Sequence, residues 1–280
     1  TQAQTLRTKK TRLVGVILPK INSDTVSRMV AGISDVLSKN GYQLLLANTN
    51  NDIAEELKYL NLFKDRQVDG ILFIATILTA RHKKLLKACQ VPVVILGQHL
   101  DGYSCVYHDD YHAAEQITEL LLEHGKVPGF IGVTTKDEAA GLNRKKGFEA
   151  AVRAKKLDCP PERMAEAQFT MESGYDKMKE LLKREPKIDA VFCATDNIAI
   201  GAMRYLKEIG KSIPHDVELA GIGDTPLAGL VEPALATVHL YYKTAGAEAA
   251  AMLVEHMEKE DAVSRELKMG FEIKKKASVL

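Results

Sequence analysis

A chain of 280 residues with 46% hydrophobic and 27% charged side chains reads as a soluble globular protein, long enough for two ordinary domains. Its 38 Lys and Arg nearly balance its 37 Asp and Glu, so the body as a whole is not built to neutralise a phosphate backbone. No run approaches the roughly 18 apolar residues of a membrane span, the polar and basic Thr1–Arg12 is no signal peptide, and Cys89, Cys105, Cys159 and Cys193 lack zinc or redox spacing, which together point to a reducing cytoplasm.

From Leu13, short apolar runs alternate with helical patterns. Leu13–Leu18 reads as a strand, and 25–40 as a helix with Val26, Met29, Val30, Ile33, Val36 and Leu37 at helical spacing. Gly41 ends that helix. Strand 43–47, helix 53–66, strand 70–75, helix 79–88, strands 91–96 and 104–107, and helix 111–124 follow. The pattern then restarts with strand 129–133, helix 143–155, strand 165–169, helix 174–184, strand 190–194 and helix 198–209. Strands 217–222 and 236–240, helix 242–259 and a weak strand 270–273 complete it. Alternation of this kind makes an α/β protein with two doubly wound parallel-sheet subdomains. The expected division falls near Gly125–Pro128, with 11–125 plus 241–262 as one subdomain and 126–240 plus 263–280 as the other.

Open α/β sheets place ligands beyond the carboxyl ends of their strands, and interfaces between domains are favoured sites. The tip residues are therefore the binding inventory. In the first subdomain they are Lys20, Ile21, Asn22, Ser23, Asn48, Asn50, Thr76 and Gln98. In the second they are Thr134, Thr135, Arg144, Phe169, Thr195, Asp196, Gly223 and Asp224. Amides, hydroxyls and a few charges suit a polyhydroxylated ligand, because each sugar hydroxyl both donates and accepts. Phe169 or Tyr242 offers a ring for the apolar face of a pyranose.

No GxGxxG follows a strand and no GxxxxGK[ST] occurs, so no nucleotide cofactor is expected. No serine sits in a GxSxG elbow and no catalytic residue is expected. His108-Asp109-Asp110-Tyr111-His112 has the look of a metal cluster, but Asp109 or Asp110 at a helix start is explained by capping and the helix dipole, and no metal is expected. Thr1–Lys10 is polar and locally basic, either a disordered leader or a linker to something upstream.

In these motifs the chain closely resembles, nearly end to end, the effector-binding core of the LacI/GalR family of bacterial transcriptional regulators. The resemblance is carried by 13–19 (LVGVILP), Asp69-Gly70-Ile71-Leu72, Phe130-Ile131-Gly132, Asn143-Arg144-Lys145-Lys146-Gly147-Phe148 and Ala194-Thr195-Asp196. Residues 213–217 (IPHDV), Gly221-Ile222-Gly223-Asp224 and 233–238 (PALATV) continue it in the family's order. It implies a periplasmic-binding-protein-like bilobal fold, a homodimer, and a small sugar or sugar-phosphate effector closing the two lobes. It implies operator binding through an N-terminal helix-turn-helix domain absent from this chain, with residues 1–10 as a hinge remnant. Arg144 falls where the family clamps its sugar, Thr195, Asp196 and Asp224 where it makes other polar contacts, and Phe169 and Tyr242 near its stacking aromatics. Three positions depart from the pattern: Ser23-Asp24-Thr25-Val26 for Asn-Pro-Phe-Phe, Gly97-Gln98 for Asp-Arg, and Gly223 for the first Asp of an Asp-Asp pair. Within the family, Gly223-Asp224-Thr225-Pro226-Leu227 and Cys193-Ala194-Thr195-Asp196 are most similar to sucrose or trehalose operon repressors.

The expected function is thus a cytoplasmic, sugar-responsive repressor core with no membrane contact. The competing reading is a secreted sugar-binding protein of a transport system, which shares the bilobal plan but needs a signal peptide. A sugar-processing enzyme would need paired carboxylates that the sequence does not place.

Overall fold

The structure, a computed structural model, describes residues 10–65 and 67–280. Of the hinge expected at residues 1–10, all but Lys10 lies outside the described residues. In chain order the first elements are β1 (Leu13–Leu18), α1 (Asp24–Lys39), β2 (Gln43–Asn48), α2 (Ile53–Phe63), β3 (Gly70–Ile74), α3 (Ala80–Ala88), β4 (Val93–Leu96) and β5 (Ser104–His108). Next come α4 (Asp110–Leu121), β6 (Pro128–Gly132), a π-helical turn at Glu138–Asn143, α5 (Arg144–Ala154), β7 (Met164–Glu166) and α6 (Met171–Arg184). The last are β8 (Ala190–Cys193), α7 (Asp196–Glu208), β9 (Glu218–Ala220), α8 (Pro226–Leu230), β10 (Thr237–Leu240), α9 (Tyr242–Glu258), β11 (Glu266–Met269) and β12 (Phe271–Lys274).

Two compact units result: one of residues up to His108 with Tyr241–Met269, the other of Asp109–Leu240 with Gly270–Leu280. The first holds a six-stranded sheet in the order β11-β5-β4-β3-β1-β2, every pairing parallel. β3 is buried at all five positions, as a parallel strand covered on both faces must be. On one face Ile17, Ile71, Phe73 and Ile95 pack with Leu60 and Phe63 of α2 and Leu86 of α3. The alternate residues of β3 meet α9, where a Cβ added to Gly70 would touch Leu253 and Met257. α1 buries Val26, Met29, Ile33 and Leu37. It crosses α9 so closely that a Cβ on Gly32 would strike the Lys243 carbonyl, which only glycine permits.

The second unit holds the parallel sheet β7-β6-β8-β9. Met178 and Leu181 of α6 and Ala199, Met203 and Leu206 of α7 bury one side against Ile131, Val191 and Cys193. Phe148 of α5 stacks on Phe130 at 5.0 Å between ring centroids, with Phe192 5.6 Å from Phe130.

Three expectations need correction. The division precedes Asp109 rather than falling at 125–128, because α4 packs on α5: Gly147 abuts the Tyr111 carbonyl so closely that any Cβ would collide with it. Residues 263–269 belong to the first unit, where β11 pairs with β5. This strand was not legible, since Glu266 and Lys268 break any apolar run and backbone pairing alone defines it. Finally, β10 does not extend the parallel sheet as a strand. It pairs antiparallel with β12 and is joined to the end of β9 by the Ala220–Ala236 bridge and by the Gly221 and Gly223 N–H groups on the Ala236 and Val238 carbonyls. No described helix is long and apolar enough to cross a membrane.

Candidate functional site

Since each main sheet is parallel throughout, its strands deliver their carboxyl ends to one edge. At the edge of the first unit, Lys20, Ile21 and Asn22 follow β1 and are exposed. Asn48, closing β2, accepts the Ile21 N–H at 3.0 Å and donates from Nδ2 to Asn50 Oδ1 at 3.0 Å. Asn50 sits at a φ of 53°, a left-handed turn position that asparagine tolerates. Thr76 after β3 is half-buried and Gln98 after β4 is buried. Tyr242, the first residue of α9, is buried. The Arg28 guanidinium lies 5.0 Å over its ring and His108 meets it edge-on at 5.0 Å. The ring is therefore already packed within its own unit.

The edge of the second unit is a charged lattice. Arg144 is 5% exposed and Asp110 4%. Arg144 reaches Asp110 Oδ1 through Nε and Nη2, each at 2.7 Å, while Nη1 donates to the carbonyl oxygen of Ala194. A guanidinium gripped from two sides is fixed in place, directly behind Thr195 at the tip of β8. Thr195 caps α7, its hydroxyl accepting the Ile198 N–H. Asp196, 1% exposed, accepts from the Thr225 N–H at 2.8 Å, the Thr225 hydroxyl at 3.1 Å and the Thr237 hydroxyl. Burial raises its pKa above the ordinary carboxylate value, against the opposing pull of those three donors.

Asp224 stands on a left-handed turn, φ 46°, and its N–H donates to Thr237 Oγ1 at 3.2 Å. Its carboxylate takes Lys276 Nζ at 3.0 Å and lies 3.0 Å from His239 Nδ1. Partial burial raises its pKa, but the hydrogen bonds and charges of Lys276 and His239 outweigh this and hold it below the ordinary value. Phe169, beyond β7, is 39% exposed and leaves its ring accessible.

Of the sequence-derived set, Asn48 is thus tied to the loop between Lys20 and Asn22. Arg144 abuts Thr195 through the Ala194 carbonyl, and Asp196 is joined to Asp224 through Thr237. Several partners were not read from sequence: Asp110, Thr225, Thr237, His239, Lys276 and Arg28. Only Asp110 carried a local signal, and it pointed elsewhere. Asp109 is the N-cap of α4, accepting the His112 N–H and lying 2.9 Å from His112 Nδ1, which frees Asp110 to pair with Arg144. His108 closes β5 in the first unit with its ring against Tyr242, and His112 lies exposed on α4 in the second, beside Asp109. Elsewhere, the exposed Asp101 and Glu266 gather at His99, whose Nε2 is 3.0 Å from Glu266 Oε1.

These two parallel-sheet units define a class of protein: residues 106–279 match the family described as a periplasmic binding protein-like domain. The chain is 32% identical over 274 residues to the sucrose operon repressor of Staphylococcus xylosus, covering 96% of this chain and 84% of that one. It is 30% identical over 261 residues to catabolite control protein A of Priestia megaterium, covering 92% and 79%. A solved transcriptional regulator CelR–cellobiose complex superposes with a TM-score of 0.89 at 27% identity, covering 96% of this chain and 85% of that one. The chain belongs to the LacI/GalR family of bacterial transcriptional regulators.

Proposed function

We propose that this protein is the effector-binding core of a cytoplasmic, sugar-responsive repressor of a sugar-utilisation operon, of the sucrose or trehalose type. The carrying observation is the set of polar groups at the carboxyl edges of both units, in a chain whose relatives include the sucrose operon repressor and whose structural neighbours include a cellobiose complex. A sugar or sugar phosphate engages Lys20, Asn22, Asn48, Thr76 and Gln98 of the first unit. From the second it engages Arg144, Thr195, Asp224 and Phe169, with Asp196, acting through Thr225 and Thr237, and Tyr242 supporting the site. Arg144, held by Asp110, presents a rigid planar fork suited to vicinal hydroxyls. Exposed Phe169 supplies a ring face. The effector acts through its different affinity for two states of the protein, and operator DNA senses that difference through a helix-turn-helix domain N-terminal to this core.

A homodimer fits the same reading. β2 is an edge strand with Leu45 45% and Leu46 41% exposed, and Leu230 is 80% exposed in the second unit. Unpaired strand edges and apolar side chains of this kind favour self-association.

A thermal-shift series with sucrose, trehalose, cellobiose, ribose and their phosphates tests the reading. A disaccharide or its phosphate raises the melting temperature, and Arg144→Lys, which keeps a cation beside Asp110 but loses the fork, removes that rise. Indifference to every carbohydrate would overturn the proposal.

A further inference from the structure

α3 breaks the rules that stabilise helices. Its exposed face carries Arg81, Lys83, Lys84 and Lys87, with Ala80 and Ala88 the only other exposed residues, and the helix has no acidic residue. Arg81 and Lys83 lie in its first turns, where the helix dipole favours anions. Arg81–Lys84, Lys84–Lys87 and Lys83–Lys87 are like-charge pairs at three- and four-residue spacing, each destabilising. None of the four side chains has an ion pair or hydrogen bond with a described residue.

The helix persists because its other face is strongly held. Thr79 and His82 form a capping box, Leu86 joins the core, and buried His82 lies 3.0 Å from Glu56 of α2. These interactions hold a surface of one sign that local energetics opposes, and rules broken without local gain mark functional positions. The first unit as a whole has 18 Lys and Arg against 14 Asp and Glu, an excess of four that the four cations of α3 equal. The near-neutral total charge hides this concentration.

Protein partners dock on buried aromatic or apolar anchors, and this face offers none larger than alanine. Phosphate backbones need no anchor, because charge alone supplies non-specific affinity. α3 also runs antiparallel to the strands it joins. Its last turn, with Lys87, is linked to Lys64 by the Gln90 N–H on the Lys64 carbonyl at 3.2 Å, and so lies at the amino edge of the sheet, where Thr11–Leu13 enter β1. We infer that the exposed face of α3, through Arg81, Lys83, Lys84 and Lys87, is a sequence-independent contact for the phosphate backbone of duplex DNA. The inference rests on membership of a DNA-binding family and does not depend on the identity of the effector.

The test is fluorescence anisotropy of the full chain with a short duplex of arbitrary sequence, across roughly 50 to 200 mM KCl. The combined variant Arg81→Gln, Lys83→Gln, Lys84→Gln and Lys87→Gln lowers the magnitude of the slope of log K against log salt by about 3.6, the release expected for four phosphate contacts. Lys-to-Arg replacement at 83, 84 and 87 preserves the slope. Neutralising four exposed lysines of the second unit, Lys146, Lys155, Lys179 and Lys183, leaves it unchanged and separates a local contact from net charge. Circular dichroism melts check that each variant is folded. An unaltered slope in the α3 variant, no binding by the parent chain at the lowest salt, or tighter binding of a poly-glutamate peptide than of the duplex would overturn the inference.

Discussion

The carboxyl edges of the two sheets are built from different materials. In the first unit the edge is mostly amide and hydroxyl, and its Lys20–Asn22 loop is exposed. Asn48 steadies the Lys20–Asn22 loop by accepting one backbone N–H and holding Asn50, at geometry that water can replace. In the second unit the edge is charged and mostly buried, with Arg144 locked between Asp110 and Ala194, and Asp196 and Asp224 joined through Thr237. A buried ion pair is held because losing one partner strands the other, whereas an exposed amide gives up little. The difference teaches that one edge presents a preorganised surface and the other an adaptable one.

The sharpest way to break this contrast is at Asp110. Asp110→Ala leaves the Arg144 guanidinium buried without its carboxylate and costs about 3–5 kcal/mol in urea unfolding. Asp109→Ala, one residue away, removes only the cap of α4 and costs about 1 kcal/mol. Equal losses at the two positions would mean that the Arg144 pair does not hold the second edge.

A smaller effect is expected at Asp224, where pH supplies the control. Its pKa in the folded chain is depressed, so its contribution is complete above the ordinary value of 3.8 and is lost as pH falls through the depressed one. Asp224→Asn therefore lowers stability by about 1 kcal/mol near neutrality, and the gap from the parent closes as the medium is acidified below the ordinary carboxylate range. Asp196 contributes with the opposite sign, since its raised pKa relieves strain on acidification, so only the difference between parent and variant is informative. A gap that persists at low pH would show that Lys276 and His239 are not its source.

Asn48→Ala should be the mildest, costing less than about 1 kcal/mol because both of its hydrogen bonds are exchangeable with solvent. It should nonetheless weaken the sugar-induced rise in melting temperature. A stability loss as large as that of Asp110→Ala would erase the distinction between the edges.

Most of the architecture was legible because it is written in local patterns. Apolar runs such as Leu13–Leu18 and Ala190–Cys193 are buried throughout or nearly so, and the helical spacing of Val26, Met29, Ile33 and Leu37 is the buried face of α1. Gly41 follows α1 at a φ of 73°, as its composition announced. Candidate positions such as Lys20, Asn48, Thr76, Gln98 and Thr195 were nominated for the same reason: each stands just beyond an apolar run. What the tips do was not legible. Asp196 reads locally as a ligand group, yet its carboxylate is occupied by Thr225 and Thr237, 29 and 41 residues away. Tyr242 reads as a stacking ring, yet Arg28 covers it.

Sequence alone therefore determined the alternation of strands and helices, the parallel sheets and the family, since periodicity and short motifs act over a few residues and survive without knowledge of the rest. Tertiary structure decided where the units divide, that Glu266–Met269 is a strand, and which carboxylate each cation meets. Those outcomes depend on backbone pairing and on burial, which raise the cost of an unmatched group only once distant segments have closed around it.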